Sequence, residues 1–311
     1  MANAVSQPKG YLDLINAVDN VSYDFDFNTL YRLLLPNDPR PHGFILPSTV
    51  SEMPWTSDFI IDNNSRTVQL RGVSEGKDTA SACNAAFQNT INIAIDKGLP
   101  MIQAKHSEMY KIMGANSFMY LERFTAPLFG IATRGAHMTA YVRTTDGLKI
   151  WVPRRSAHLF SYPDMLDTTV AGGIKADHSP FECILAEADE EASLPAGFVR
   201  QNARAVGVVT YVTRKEKSGL IHPDVLYVFD IELPETMAPK PQDDEVSEFY
   251  LWSVEEVKQA MLRREFKPNC SLVMIDFFVR HGIITQENED DYVEIVSRLR
   301  RKLPVPTRPE R

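Results

Sequence analysis

The chain is short of several things, and each shortage excludes a class of protein. Cysteine occurs three times in 311 residues, at Cys83, Cys183 and Cys270, far apart and without a CxxC spacing. That excludes a zinc ribbon or a disulfide framework and points to a reducing compartment. No stretch approaches the ~18 uninterrupted apolar residues of a membrane span, and the opening MANAVSQPKG lacks the apolar centre of a secretory leader. Basic residues are few near the N-terminus and Asp13 and Asp19 follow early, so an arginine-rich organelle address is not evident. A soluble, cytoplasmic protein with no membrane partner is expected. Positive charge is outnumbered, 33 Lys and Arg against 41 Asp and Glu, for a net charge of −8. A nucleic-acid partner requires a basic face that displaces counterions, so none is expected. A phosphate ligand remains open, because bound metal and local arginines set the field at a site. Repeats and low-complexity tracts are also missing.

What remains is an ordinary globular composition, 44% hydrophobic and 24% charged, on a length that allows one large or two medium domains. Coarse periodicity divides it near residue 125. Before that point, Tyr11 to Val18 reads as a short amphipathic helix, and Leu30 and Leu33–Leu35 as a second one closed by Pro36. Phe59–Ile61 and Thr67–Leu70 flank an Asn-Asn-Ser turn as a hairpin would. Residues 77–97 read as a longer helix with Ala82, Ala86, Ile93 and Ala94 inward. His42 and His106 stand alone and read as surface or satisfied core groups.

After residue 125 strands dominate. Leu128–Thr133, Met138–Arg143 and Lys149–Pro153 are separated by Gly135 and by an Asp146-Gly147 turn. Ala205–Val212, Val225–Leu233 and Glu248–Trp252 are rich in β-branched and aromatic residues. Ser253 with Glu256 forms a capping box for a helix carrying Val257 and Met261, and Pro268 opens another that stops near Gly282. Residues 286–303 read as a last helix before a frayed, proline-punctuated tail.

The chemistry concentrates in Gly172–Leu194, GGIKADHSPFECILAEADEEASL. Ser179, Pro180 and Glu182 read as N-cap, first-turn proline and the carboxylate of a capping box. Along the helix Phe181, Ile184, Leu185, Ala188 and Ala192 recur at packing intervals. Glu187, Glu190 and Glu191 fall on a second face, roughly 120° away. Like charges so spaced each disfavour a helix by about 0.2–0.5 kcal/mol. Either water screens them as a solvated acidic face, or a divalent cation removes the repulsion; oxygen-only ligands suit Mg²⁺ or Mn²⁺.

A glycine pair, a short loop and this capped helix resemble the signature of the Nudix hydrolases, G-x5-E-x7-R-E-U-x-E-E-x-G-U, with U a bulky aliphatic. Gly172, Glu187, Glu190 and Glu191 occupy four of its fixed positions, whereas His178, Ala186 and Ser193 replace the first glutamate, the arginine and the late glycine. The stretches FGIATRGAHMTAY (Phe129–Tyr141), WVPRRS (Trp151–Ser156), YPDMLDTTVAGG (Tyr162–Gly173) and FKPNCSLVMIDFFVRHG (Phe266–Gly282) are similar to the fungal and plant branch related to thiamine pyrophosphokinase. Leu159 stands where that branch would carry lysine.

The resemblance implies an α/β protein: a Nudix-type α/β/α sandwich around a mixed sheet over residues 125–311, preceded by a smaller α+β region over 1–124. It implies a Mg²⁺- or Mn²⁺-dependent diphosphatase taking a small-molecule diphosphate, thiamine diphosphate or its oxidised analogues, to the monophosphate and phosphate. Two alternatives stay open: another organic diphosphate, such as an isoprenoid diphosphate or a nucleoside diphosphate derivative, or a non-catalytic diphosphate-binding protein built on an altered box. The residues carried over are Glu187, Glu190 and Glu191 as metal ligands, Glu190, Glu191 and the loop residue Glu245 as catalytic groups, and Gly172 and Gly173 beside the substrate.

Arg154 and Arg155 suit a phosphate oxygen pair, although strand neighbours point to opposite faces and only one need meet it. Phe160, Tyr162 and His137 are candidate walls for the organic group. Without a G-x-S-x-G elbow, and with Cys183 beside carboxylates that disfavour a thiolate, nucleophilic catalysis is the weaker reading.

Overall fold

The computed structural model describes residues 8–72, 78–102 and 106–310. Helix α1 (Tyr11–Val18) opens the chain, and a four-stranded sheet follows from β1 (Tyr31–Leu35), β2 (Asp38–Ile45), β3 (Phe59–Asp62) and β4 (Thr67–Leu70), with α2 (Pro47–Glu52) between β2 and β3. Its strand order is β2-β1-β4-β3, with β1 and β4 parallel. The long helix α3 (Thr79–Asp96), capped by Asp78, packs Phe87 and Ile91 against Leu33, Val68 and Leu70 of this sheet. A small hairpin of β5 (Met109–Lys111) and β6 (Tyr120–Glu122) and the short helix α4 (Ala126–Phe129) lead into the second half.

That half is built on a six-stranded mixed sheet of β7 (Thr133–Thr144), β8 (Gly147–Arg155), β9 (Val170–Gly173), β10 (Arg204–Arg214), β11 (Ile221–Glu232) and β12 (Val246–Ser253). The order is β10-β11-β7-β8-β12, β9 pairs with β7, and β11 lies parallel to β7. Alternation along β7 sends Ala136, Met138, Ala140 and Val142 to one face, where α5 (Pro180–Glu190) and α6 (Ala196–Asn202) cover them with Ile184, Ala188 and Val199. The other face carries Ile150, Val152, Val209 and Val228 beneath α7 (Val254–Leu262), α8 (Pro268–Arg280) and α9 (Tyr292–Arg298). Helix α1 joins this second layer through Leu14, Ile15 and Val18. The result is an α/β/α sandwich with a smaller α+β region before it.

Both expected capping boxes form, at Ser179/Glu182 and at Ser253/Glu256. Four expectations are corrected. The leucine run is not a helix: Tyr31–Leu35 is the strand β1, whose Leu33 and Leu35 alternate inward and which is paired on both sides, so the neighbouring strands decided what a leucine run alone leaves ambiguous. Leu128–Thr133 is not a strand at its start, because Pro127 sits in the first turn of α4 and Gly130, at φ 62°, ends that helix; Gly135 lies within β7 rather than between strands. On α3 the buried face is Cys83, Ala86, Phe87, Thr90, Ile91 and Ala94, with Ile93 exposed, and residue 77 lies outside the described residues.

The fourth correction concerns the C-terminus. Helix α9 covers only Tyr292–Arg298, because the chain then turns extended beside β10, where the Thr210 amide donates to the Leu299 carbonyl at 3.0 Å. The Thr210 hydroxyl donates to the Arg301 carbonyl at 2.7 Å. Leu303 and Val305 are buried, so this part of the tail is packed rather than frayed. Among the described residues no helix is long and apolar enough to cross a membrane.

Candidate active site

Helix α5 and its C-cap bring Glu187 and Glu191 against β9, while the Glu190 side chain is exposed. Glu191, 6% exposed, accepts the Ala171 amide at 3.0 Å and so ties the helix to β9. Glu187 lies against Gly172: a Cβ there would fall 2.1 Å from its Oε1, and one on Gly173 would fall 1.8 Å from the Tyr110 hydroxyl. The glycine pair is therefore the space that these two groups occupy. The loop before β12 docks on the end of the same helix, with the Asp243 amide donating to the Glu190 carbonyl at 3.0 Å and the Ser193 hydroxyl to Gln242 Oε1 at 3.2 Å. This brings Glu245 to the rim, its carbonyl accepting the Ser156 amide at 2.8 Å.

The carboxylates crowd one another. Burial, with Glu190 and Glu245 adding to it, pushes the Glu187 carboxyl up to about 7. Burial and then Glu187 push Glu191 well above the ordinary carboxylate range. Cys183 is pushed up to about 12 by burial, Glu187 and Glu191, so it rests as a thiol.

Glu187 and Glu245 wall a cavity of about 290 Å³ into which Arg123, Arg134, Arg155 and Lys267 also face. Arg155 is held from three sides: Nη1 donates to Asp167 Oδ2 at 3.1 Å, Nε to the Tyr162 carbonyl and Nη2 to the Ser161 carbonyl, both at 3.2 Å. Lys267 Nζ stands 3.4 Å from the same Asp167 oxygen. Burial opposes the Asp167 charge, but Lys267 and His137 outweigh it and hold the carboxyl down to about 2. Among the described residues no carboxylate pairs with Arg134 within ion-pair distance; its guanidinium donates to the Lys175 carbonyl at 3.2 Å.

Arg154 points away from this cavity and donates to the Tyr250 hydroxyl at 3.1 Å and the Asp164 carbonyl at 2.9 Å. Of the two candidate arginines, only Arg155 lines the cavity. Tyr162 and His137 line it as well, whereas Phe160 stands 95% exposed elsewhere. His178 lies in the turn before α5, outside the cavity wall.

Among the described residues, the side chains that approach within 4.8 Å as a possible metal group are His137, Asp167 and Cys270. They are already satisfied as a buried network. Cys270 Sγ donates to Asp167 Oδ1 at 2.6 Å, His137 Nδ1 pairs with the Thr168 hydroxyl at 2.8 Å, and burial lowers His137 to about 4. No three of Glu187, Glu190, Glu191 and Glu245 come that close among the described residues. Their donor set still suits a hard cation: they are all oxygens, and the charge repulsion at Glu187 and Glu191 is what a divalent ion would relieve.

Sequence reasoning did not single out Tyr110, Arg123, Arg134, Asp224 or Lys267. Arg134 and Lys267 lie inside the conspicuous stretches FGIATRGAHMTAY and FKPNCSLVMIDFFVRHG. Asp224, with His222, is a polar interruption of the apolar strand β11. Tyr110 and Arg123 come from the N-terminal region, where no local pattern marks them.

Residues 133–270 match the family model of the NUDIX domain. That part of the chain is a NUDIX domain. The chain is 34% identical over 317 residues to an uncharacterized protein of Saccharomyces cerevisiae, covering 96% of this chain and 92% of that protein, and it belongs to one family with it. It is 38% identical over 221 residues to Nudix hydrolase 20, chloroplastic, of Arabidopsis thaliana, a match over 70% of this chain. The match to Nudix hydrolase 24, chloroplastic, of the same plant is 36% identical over 220 residues and 69% of this chain. The chain spans 58% of the length of each plant relative. Among solved structures it is similar to the NUDIX domain of Shewanella oneidensis NrtR complexed with ADP ribose, at TM-score 0.39 and 16% identity over 50% of this chain and 91% of that one.

Proposed function

We propose that the chain is a divalent-metal-dependent diphosphatase that takes thiamine diphosphate or its oxidised analogues to the monophosphate and phosphate, as in the thiamine pyrophosphokinase-related branch it resembles. The observation that carries the diphosphatase reading is the convergence of four cationic side chains, Arg123, Arg134, Arg155 and Lys267, with Glu187 and Glu245 on one polar cavity. Cations of that number hold phosphate oxygens, and carboxylates beside them serve metal and water.

Glu187, Glu190 and Glu191 would hold Mg²⁺ or Mn²⁺, which when bound supplies positive charge at the phosphoryl oxygens and a more acidic water. Arg155, pre-oriented by Asp167 and two carbonyls, grips the diphosphate in this reading, with Lys267 and Arg134 beside it and the Gly172–Gly173 backbone underneath. Water attacks the terminal phosphorus, the bond from that phosphorus to the bridging oxygen breaks, the monophosphate departs with the bridging oxygen, the attacked group becomes phosphate, and the water's proton passes to a carboxylate, with Glu190, Glu191 and Glu245 the candidates. The same reading divides the chain into a region 1–124 that lends Tyr110 and Arg123 to the site and a hydrolase domain 125–311. Three free, buried cysteines fit a reducing compartment such as the cytoplasm.

The test is phosphate release with Mg²⁺ or Mn²⁺ from thiamine diphosphate, its oxidised forms, isopentenyl diphosphate and ADP-ribose, run beside Glu190→Gln. Turnover of the thiamine compounds, lost in the variant, is expected. Preference for another diphosphate would replace the substrate assignment, and binding without cleavage of any of them would make the site a receptor.

A further inference from the structure

The diphosphate cavity adjoins a second one, of about 770 Å³, and the two share the wall residues Tyr162, Tyr211, Asp224, Lys267 and Asn269. That volume lies in the range of small-molecule sites. Strand β11 joins them: His222, Asp224 and Leu226 alternate onto one face of the sheet, His222 lining the second cavity, Leu226 the first and Asp224 both. Tyr211 and Thr213 stand opposite Asp224 and His222 on β10.

Two polar side chains in this wall are nine-tenths buried yet short of partners. His222 is 8% exposed and Asp224 7%. The Thr133 hydroxyl donates to Asp224 Oδ1. Among the described residues, however, Asp224 Oδ2 and both ring nitrogens of His222 make no hydrogen bond. His222 Nδ1 and Asp224 Oδ2 approach to 3.1 Å without the alignment of one. Buried polar groups are ordinarily satisfied, and unsatisfied ones that face a cavity call for a ligand that completes them. The aromatic wall is offered by Tyr211, buried, and by Tyr162, a non-glycine residue at φ 51° that Arg155 holds through its carbonyl and that lines both cavities.

We propose that the second cavity takes the organic group of the diphosphate, a flat heteroaromatic ring bearing an N–H donor edge, with Asp224 as the specificity-determining acceptor, His222 as its companion and Tyr162 as a stacking wall. A prenyl chain would leave those polar atoms unpaired and so be disfavoured. This rests on the diphosphatase reading of the adjoining cavity.

The test compares Asp224→Asn and His222→Leu with the wild type on thiamine diphosphate, whose ring carries an amine, and on isopentenyl diphosphate, which has no donor edge. The ratio of kcat/KM between the two should fall at least tenfold in each variant, mainly through KM for the ring substrate. A ratio within twofold of wild type overturns the proposal. Tyr162→Ala, a change on a loop at a residue 38% exposed, reports by the same ratio if a buried variant does not fold. If the wild type cleaves neither compound, the diphosphatase reading fails on its own. The ring site is then judged by calorimetric binding of thiamine, which carries no phosphate: weakening of tenfold or more in Asp224→Asn supports it, and unchanged or absent binding to wild type and variant overturns it.

Discussion

Glu187 fills the place that a side chain on Gly172 would take. A methyl group at residue 172 would lie 2.1 Å from Glu187 Oε1, too close for any real contact, so the backbone of β9 and the carboxylate of α5 are fitted to each other atom by atom. The obstructing atoms belong to the far end of a flexible side chain, which can swing aside at modest cost.

Gly172→Ala should therefore cost activity more than stability. Phosphate release is expected to fall at least a hundredfold through a displaced Glu187, while the unfolding midpoint moves by no more than about 2–4 °C, on the order of 1 kcal/mol at this size. Activity near wild type would mean that Glu187 is not required where it stands.

Ser193 holds the left-handed conformation, φ 51°, just beyond the end of α5. A non-glycine residue there is disfavoured by about 1–2 kcal/mol, offset in part by the hydroxyl bond to Gln242. Ser193→Gly should raise stability by about 0.5–1 kcal/mol, read as a shift in the denaturant midpoint. A drop in stability would show that the Gln242 bond outweighs the backbone strain.

Arg155 and Arg154 are chain neighbours with different surroundings, one in the cavity and the other against Tyr250. Arg155→Lys loses a planar fork whose donors are placed by Asp167 and two carbonyls, and kcat/KM for the diphosphate should drop at least tenfold. Arg154→Lys should change it less than twofold. Equal losses would return both arginines to the substrate.

Asp38 is buried in the N-terminal region between Arg40 and His42, which approach its carboxylate at 2.6 and 2.9 Å. The Arg40 hydrogen bond, foremost, holds the Asp38 carboxyl well below its ordinary 3.8. The sign follows: a depressed carboxyl stabilises the fold above its unfolded value, and that stability is lost as pH falls through the folded one. Asp38→Asn should cost about 2–3 kcal/mol at pH 7. The gap to wild type should narrow below about pH 4 in urea titrations. A gap that stays constant from pH 7 to pH 3 would rule this out.

Local patterns carried much of the fold. Both capping boxes, the β3–β4 turn, α1 and the strands β8, β10, β11 and β12 were legible because each is written in a few adjacent residues, whereas β9 and the start of β7 were not. The leucine run of β1 was not legible, since Leu33, Leu34 and Leu35 satisfy either period until β2 and β4 pair with them. The same holds for the tail, whose Leu303 and Val305 look like loop residues until β10 and its neighbours give them something to pack on.

By itself, then, the sequence determined the glutamate helix, its caps and the glycine pair before it, since helix periodicity and capping act over three or four residues. Only the tertiary structure decided that Arg155 rather than Arg154 faces the carboxylates, and that Arg123 and Tyr110 arrive from another part of the chain. Strand alternation left Asp224 and His222 buried in the wall of a cavity with polar atoms that make no hydrogen bond among the described residues. Those outcomes depend on which strand lies beside which, a matter of long-range pairing that no short stretch of residues encodes.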